Sequence, residues 1–242
     1  MYLADANTQT LLALVYMSLC KNVIKRNGNT RQRKRIVLIC WLYVLGTTMY
    51  NIIYADPPWA YRSKGMYQET FPKRKQIRKY QGVNEHYSTM DITKICTLDV
   101  EKIAAKNCAL FLWVTDSHLP EALRLIKEWG FKYRSIAFIW IKRSSRGKLC
   151  ANVGAWTMKN AEICLIATKG NMAKNKVANN IYQIIDEERT THSKKPEEAR
   201  RRIERIFGGL PKIELFARQK VEGWDAWGNE VESDINLVPK HV

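Results

Sequence analysis

Short apolar runs alternate with amphipathic stretches along most of the chain. The runs Tyr50–Ala55, Cys108–Val114 and Ile136–Ile141 have the length and the β-branched and aromatic content of buried strands. Glu162–Thr168 and Lys212–Phe216 show the same pattern and predict a fourth and a fifth strand. Because two successive prolines cannot continue a strand ladder, the first strand must end where the sequence Asp-Pro-Pro-Trp begins.

Three helices and two basic loops, Lys64–Lys79 and Lys142–Asn160, are predicted between these strands. Asp99–Ala105 is a short helix, and Pro120–Trp129 has proline in its first turn and glycine just past its end. Pro196–Phe207 has the clearest pattern, with two glutamates in its first turn, two glycines after its last residue and an apolar stripe. This alternation predicts an α/β fold, a mostly parallel sheet with helices on both faces. Ligands of such sheets bind beyond the carboxyl ends of the strands.

The first 48 residues differ from the rest and form a separate predicted segment. They contain seven basic residues and one acid, and two apolar runs, Leu11–Leu19 and Ile36–Leu45, flank the basic stretch. Each run has about half of the roughly 20 apolar residues that a membrane span needs. A signal peptide would carry its positive charge before the apolar run. Three interpretations stay open for residues 1–48: a hydrophobic hairpin packed on the main domain 49–242, a basic arm that binds nucleic acid, or translated sequence upstream of a true start at Met49.

The net charge of the chain indicates which kind of partner it binds. The chain has 242 residues, 46% of them apolar, so it is long and apolar enough to bury a core. Lysine and arginine number 40 against 23 aspartate and glutamate residues, for a formal net charge of +17. This excess favours a polyanionic partner, most simply a nucleic acid. Six cysteines without a C-x-x-C pair favour reduced, buried thiols of an intracellular protein over a disulfide framework or a zinc site.

Several common enzyme signatures are absent from the sequence. No G-x-G-x-x-G follows a strand, and there is no phosphate-loop G-x-x-x-x-G-K-[ST]. The motifs G-x-S-x-G and H-E-x-x-H are also missing. The sequence therefore lacks the usual signals of dinucleotide binding, nucleotide hydrolysis, serine hydrolysis and zinc proteolysis, and no metal site is predicted.

The run Asp56-Pro57-Pro58-Trp59, directly after a predicted strand, is the strongest candidate for chemistry. Its simpler interpretation is a strand-ending turn with a capping aspartate and a buried tryptophan. That interpretation explains the turn but not the presence of all four residues at the carboxyl end of a strand. We therefore take the four residues as the candidate catalytic motif.

These residue types suit the methylation of an amine. The exocyclic N6 of adenine is a poor nucleophile, because its lone pair is delocalised into the ring. The Asp56 carboxylate and the Pro57 carbonyl, held rigid by two prolines, can accept both N–H hydrogens and direct the lone pair at a methyl donor. Trp59, together with Tyr61, can hold a base that has been flipped out of a duplex. This chemistry needs no metal.

With this motif the chain resembles the DPPW-type N6-adenine methyltransferases, the family that includes the catalytic subunit of the messenger-RNA adenosine methyltransferase and many small bacterial and phage proteins. The resemblance covers about Met49 to Glu232. It implies a permuted, Rossmann-like methyltransferase domain at 49–242 with S-adenosylmethionine as cofactor, and the permuted order explains why no early glycine-rich loop is found. The other similar segments are Phe111–Thr115, Ile139–Lys142, Ala161–Leu165, His192–Pro196, Lys212–Arg218 and Trp227–Glu230.

The resemblance also implies roles for individual residues. Trp140 and Glu162 would border the target-adenine pocket, although Trp140 could equally be a core residue and Glu162 a surface charge. Lys195 would lie near both the target and the cofactor, and Tyr87 is a weaker pocket candidate. The implied cofactor-binding residues are Asp56, Lys195, Glu214, Arg218, Asn229 and Glu230, of which the last three would contact the ribose.

Two positions depart from the family's pattern. Val221 stands where relatives of the messenger-RNA enzyme carry a polar ribose contact, and Lys220 replaces a histidine. The expected function is site-specific methylation of adenine N6 in DNA by a monomer or homodimer in the cytoplasm of a bacterial or phage-infected cell, without membrane association. The expected substrate is double-stranded DNA with a flipped adenine. Two alternatives stay open, an RNA N6-adenosine methyltransferase and a non-catalytic nucleic-acid-binding paralogue of the same fold.

Overall fold

The computed structural model describes residues 49–60, 90–154, 156–190 and 194–240. The predicted segment 1–48 lies outside the described residues, so the three interpretations of it stay predictions. The loop predicted from 64 to 79 lies outside them as well.

A seven-stranded sheet and four helices make up most of the described part of the chain. The strands are β1 Tyr50–Ala55, β2 Ala104–Val114, β3 Lys132–Arg143, β4 Asn152–Val153, β5 Met158–Lys159, β6 Ala161–Lys169, β7 Ile184–Glu188, β8 Lys212–Leu215 and β9 Asp225–Trp227. The helices are α1 Ile92–Thr97, α2 Val100–Ile103, α3 Leu119–Glu128 and α4 Glu197–Phe207. Single 3-10 turns lie at Asp116–His118 and Met172–Asn175.

The strand order of the large sheet is β7-β3-β6-β2-β1-β8-β9, and β4 and β5 form a separate two-stranded hairpin. Strand β6 pairs antiparallel with both β2 and β3, whereas all other neighbours in the large sheet are parallel. Six strands therefore point one way and only β6 is reversed. The predicted α/β fold with a mostly parallel sheet is confirmed.

Helices cover both faces of the sheet, as predicted. Helices α1, α2 and α3 pack on one face, where their buried residues join those of alternate positions of β1 and β2. Helix α4 packs on the other face through the buried side chains of Ala199, Ile203 and Phe207. It begins after Pro196 with two glutamates in its first turn and ends at Gly208, whose φ of 67° is the left-handed conformation that glycine adopts without strain.

Most predicted strand and helix positions agree with the structure, and the differences have local causes. The predicted helix Asp99–Ala105 is too long, because Ala104 is already extended and pairs with Tyr50 as the first residue of β2. The predicted last strand runs one residue too far, because Phe216 leaves the sheet with a φ of 61°. Of the remaining predicted strands, Tyr50–Ala55 has the predicted bounds, and the other three are longer in the structure than predicted.

Three elements and a hairpin were not predicted. They are α1, β7, β9 and the hairpin of β4 and β5, which occupies part of the segment 142–160 that the sequence predicts as a loop. Strand β7 has the sequence Ile-Ile-Asp-Glu-Glu at the edge of the sheet, so it lacks the apolar run of a buried strand. Among the helices of the described ranges, none is long and apolar enough to span a membrane.

Candidate active site

The direction of the strands brings the predicted site residues to one edge of the sheet. Asp56 directly follows the carboxyl end of β1. Because β6 is reversed, its second residue, Glu162, lies at that same edge, paired with Trp140 near the end of β3. Side chains on alternate strand positions share a face, which places these three on the side of the sheet that α4 covers. Asp56, Trp140 and Glu162 therefore lie together at the edge of the sheet formed by the carboxyl ends of the parallel strands, here called the carboxyl edge.

The turn at Asp56–Trp59 is held by main-chain hydrogen bonds. The amide of Trp59 donates to the carbonyl oxygen of Pro57 at 2.8 Å, and the amide of Met90 donates to the carbonyl of Pro58 at 3.0 Å. The indole Nε1 of Trp59 donates to the carbonyl oxygen of Trp113 at 3.2 Å. Two fixed proline φ angles and these bonds hold the Asp56 backbone in one place.

Trp59 anchors this turn in the core. Its ring is 6% exposed and stacks on the His118 ring with the centroids 5.7 Å apart. His118 is itself fixed, because its ring nitrogens lie 3.2 Å from the carbonyl oxygen of Ala60 and 2.9 Å from the Thr115 hydroxyl. The structure thus gives Trp59 a packing role, and the base-stacking role of its ring stays a prediction.

Four charged side chains form a continuous cluster at the edge. The Lys195 ammonium lies 2.6 Å from Asp56 Oδ2 and 3.3 Å from Glu162 Oε2. The other oxygen of Glu162, Oε1, pairs with the ammonium of Lys142. Lys195 comes from the segment just before α4, so two carboxylates and two ammonium groups from four different parts of the chain meet here.

Burial and pairing shift the pKa values of this cluster. Burial raises the pKa of the Asp56 carboxyl above its ordinary value, and the ammonium of Lys195 only partly opposes that rise. Burial would raise the pKa of Glu162 too, but the ammonium groups of Lys195 and Lys142 outweigh it and lower the pKa to about 2. Burial lowers the pKa of Lys195, but the two carboxylates outweigh that effect and raise it overall. Lys195 is therefore a charged ammonium at neutral pH.

Tryptophan rings support both lysines. The Lys195 ammonium lies 5.7 Å from the centroid of the Trp113 ring, and the Lys142 ammonium lies 5.5 Å from the centroid of the Trp140 ring. Trp140 is only 2% exposed, and its Nε1 donates to the carbonyl oxygen of Glu187 at 3.1 Å. Trp140 is thus a core residue at the base of the site, and its predicted contact with adenine stays a prediction.

The segments that follow β8 and β9 pack tightly against each other. The amide of Ala217 donates to the carbonyl oxygen of Trp227 at 3.0 Å. A Cβ atom on Gly228 would lie 2.2 Å from the carbonyl oxygen of Ala217, so only glycine permits this approach. Beyond this contact, Arg218 of one segment and Glu230 of the other form an ion pair, with Nε and Oε1 3.7 Å apart. Three of the predicted cofactor residues, Arg218, Asn229 and Glu230, therefore lie on adjacent segments.

The side chains at this edge suit the predicted cofactor. Asn229 and Glu230 are exposed, and an amide and a carboxylate can bind the two hydroxyl groups of a ribose. The Asp56 carboxylate and the Lys195 ammonium offer one charge of each sign, which matches the ammonium and carboxylate of a methionine group. The donor set fits S-adenosylmethionine.

Glu214 forms an ion pair with Arg200 of α4. Its two carboxylate oxygens lie 2.8 and 3.3 Å from the guanidinium nitrogens of Arg200, which is buried in α4. Arg200 also pairs with Glu197 at 2.5 Å and lies over the Tyr54 ring. The Tyr54 hydroxyl in turn accepts a hydrogen bond from Trp113 Nε1 at 2.7 Å. Glu214 therefore ties α4 to the sheet beneath the site, and its contact with the cofactor stays a prediction.

The structure does not describe every predicted site residue. Tyr61 and Tyr87 lie outside the described residues, as do residues 192 and 193 of the predicted substrate loop. Within the described ranges there is no group of three or more His, Cys, Asp or Glu side chains that could hold a metal ion. Sequence analysis missed the pairing of Lys142 with Glu162, although a lysine two residues after Trp140 on the same strand was the available signal.

Comparison with known proteins gives one family and a set of relatives. The model of the family MT-A70 matches residues 50–230. The type II methyltransferase M.MunI of a Mycoplasma species is 34% identical over 195 residues, which cover 78% of this chain and 81% of that protein. The N(6)-adenosine-methyltransferase MT-A70-like of Arabidopsis thaliana is 30% identical over 192 residues, and the human N(6)-adenine-specific methyltransferase METTL4 is 27% identical over 195 residues. The matches cover 78% and 75% of this chain, but only 24% and 37% of those two proteins.

Proposed function

The chain belongs to the MT-A70 family of N6-adenine methyltransferases, and we propose that it methylates adenine in DNA with S-adenosylmethionine as the methyl donor. The observation that carries the proposal is the partly buried ion pair between Lys195 and Asp56, the residue directly before the two prolines of the turn. A carboxylate and a rigid main-chain carbonyl stand next to each other at the edge of the sheet where ligands of this fold class bind.

Asp56 and Pro57 hold the amine of the target adenine. Lys195 contacts Oδ2 of Asp56, so Oδ1 is the oxygen that accepts one amine hydrogen. The Pro57 carbonyl oxygen accepts one bond from the amide of Trp59, and its second lone pair is the acceptor for the other amine hydrogen. The bound cofactor supplies an electrophilic methyl group. The chain's own contribution is to fix the amine so that its lone pair faces that group.

Asp56 is also suited to receive the proton that the amine loses on methylation. Its pKa is raised by burial, and a carboxylate with a raised pKa is a better proton acceptor than an ordinary one. Lys195 keeps the carboxylate oriented and ionised before the reaction, and Glu162, itself paired with Lys142, holds Lys195 in turn. The resemblance of the sequence to its family supplies the remaining proposed contacts, with Arg218, Asn229 and Glu230 at the ribose.

One observation favours DNA over RNA as the substrate, and a second favours a nucleic acid of either kind. The relative that this chain matches over most of its length is named a type II methyltransferase, and the formal net charge of +17 suits a polyanion. A base stacked inside a duplex cannot reach a methyl donor, so the target adenine is flipped out of the helix. We propose further that the protein acts in the cytoplasm as a monomer or homodimer and needs no metal.

RNA is the second candidate substrate, because several matched relatives are named N(6)-adenosine methyltransferases.

One experiment distinguishes DNA from RNA as the substrate. Labelled S-adenosylmethionine is incubated with the protein and a long unmethylated duplex, or with an RNA transcript of the same sequence, and the products are digested to nucleosides. We expect labelled N6-methyldeoxyadenosine from the duplex. Label in N6-methyladenosine of the transcript alone would make RNA the substrate, and label in neither polymer would contradict both candidates.

A further inference from the structure

The hairpin of β4 and β5 extends from the carboxyl edge next to the site. Strand β3 ends and strand β6 begins at this edge, and the amide of Lys142 donates to the carbonyl oxygen of Asn160 at 3.1 Å. The segment between them thus leaves and returns at the same place. Its two short strands pair Asn152 with Lys159 and Val153 with Met158.

Exposed apolar side chains are concentrated on this hairpin. Trp156 at its tip is 95% exposed, the largest value among the large apolar side chains of the described residues. Leu149, Val153 and Met158 are each about half exposed. A concentration of this kind on a protein surface indicates an interaction site, because scattered single residues are the usual pattern.

The residues on either side of the tip pack closely together and are linked to the site. A Cβ atom on Gly154 would lie 2.5 Å from the carbonyl oxygen of Thr157 and 2.9 Å from Cε of Lys159, so the turn requires glycine. The ammonium of Lys159 lies 2.8 Å from Asp116 Oδ1. Asp116 belongs to the same 3-10 turn as His118, whose ring stacks on Trp59. The hairpin is therefore tied to the turn that supports the catalytic motif.

The positive charge of the residues around the tip indicates that this surface binds a polyanion. Residues 142–160 include five basic side chains and no acidic one. Lys142, Arg143 and Lys159 pair with carboxylates of other segments, and Arg146 and Lys148 are exposed. Two copies of such a surface would repel each other, whereas a polyanion would be attracted. Flat aromatic rings exposed within a basic surface are the usual platform for nucleobases, since every base has a π-face.

We propose that Trp156 stacks on a base of the bound nucleic acid, beside the target adenine, and so helps to hold that strand at the site. The inference rests on the proposed function, which makes a nucleic acid the substrate. The neighbouring Arg146 and Lys148 contact phosphates, which positions the strand without reading its sequence. Trp156 contributes binding through its ring alone, so its contribution does not depend on salt.

The test compares Trp156→Ala with Trp156→Phe and with Tyr182→Ala in the full chain. Tyr182 is a matched control, because it is 84% exposed but precedes the amino end of β7 rather than following the carboxyl end of a strand. Affinity for a labelled duplex is measured by fluorescence anisotropy at several salt concentrations. We expect about tenfold weaker binding for Trp156→Ala at every salt concentration, and near wild-type binding for the other two variants.

A second measurement reads the same contact in the unmodified protein. Among the seven described tryptophans, Trp156 is the exposed one, so of these seven it is the most accessible to the quencher acrylamide. We expect the duplex to protect this signal in the wild type and to have little effect on it in Trp156→Phe. Wild-type affinity of Trp156→Ala, or equal losses with alanine and phenylalanine, would overturn the inference. A change in sedimentation with unchanged affinity would instead assign the surface to contacts between copies of the chain. Failure of the wild type to bind or methylate any nucleic acid would contradict the proposed function itself.

Discussion

Substituting Glu162 by glutamine tests the charge cluster at the active-site edge. The side chain keeps its shape but loses the charge that pairs with Lys195 and Lys142. In the wild type these ammonium groups lower the pKa of Glu162 from 4.5 to about 2, against the opposing effect of burial. That lowering corresponds to about 3 kcal/mol of free energy of unfolding at neutral pH.

The sign of the pH dependence follows from the direction of the shift. A carboxyl with a depressed pKa in the folded state stabilises the fold above its unfolded pKa and loses that contribution as the pH falls through the folded value. We therefore expect the free energy of unfolding of Glu162→Gln to lie about 3 kcal/mol below that of the wild type at pH 7. The difference shrinks to about 1 kcal/mol at pH 3.

The assay is urea unfolding followed by tryptophan fluorescence, performed on both proteins between pH 7 and pH 3. Asp186→Asn is the matched control, because Asp186 pairs with Arg143 at 2.7 Å on an exposed surface. Exposed pairs contribute little, so this variant should follow the wild type at each pH. A difference for Glu162→Gln that does not change with pH, or that equals the control, would refute the reasoning about the cluster.

Two further substitutions test the support beneath the site and the cofactor segments. Arg200→Met leaves the buried carboxylate of Glu214 without its guanidinium partner, so we expect a loss of about 3–5 kcal/mol in denaturant unfolding. Because burial raises the pKa of Glu214, this loss should be larger at pH 7 than at pH 4, and an equal loss at both would contradict the pairing. Gly228→Ala forces a Cβ atom towards the carbonyl oxygen of Ala217, so we expect a lower melting temperature and weaker S-adenosylmethionine binding in calorimetry. Wild-type values of both would contradict the close approach of the two segments.

Local signals made much of the fold predictable. The apolar run Tyr50–Ala55 followed by two prolines gave the bounds of β1, and the glutamates and glycines around α4 gave its ends to within one residue. These features act within a few residues of one another, so they can be recognised along the sequence. The candidate catalytic motif could be proposed for the same reason, since its four residues are adjacent.

Other features depend on contacts between distant parts of the chain. Arg200, Arg201 and Arg202 are consecutive in α4, and each pairs with a glutamate three or four residues earlier. Only Arg200 is buried, because it alone faces Glu214 on β8. The helical period places Arg201 opposite the apolar stripe, but it does not distinguish Arg200 from Arg202, which lie on either side of that stripe. The reversed direction of β6, which brings Glu162 to the active-site edge, likewise depends on its pairing with β2 and β3.

The central claim is that Asp56 holds the target amine, and its most direct test is a single-turnover comparison of wild type and Asp56→Ala. Labelled methyl transfer to a long duplex is measured beside the affinity for S-adenosylmethionine, with Asp186→Ala as a control on an exposed surface. We expect Asp56→Ala to lose methyl transfer by at least about a hundredfold at saturating cofactor, as for removal of a catalytic hydrogen-bonding group. The variant should still bind the cofactor, with lower affinity because the contact with the methionine ammonium is lost. Methyl transfer at the wild-type rate by Asp56→Ala would contradict the claim.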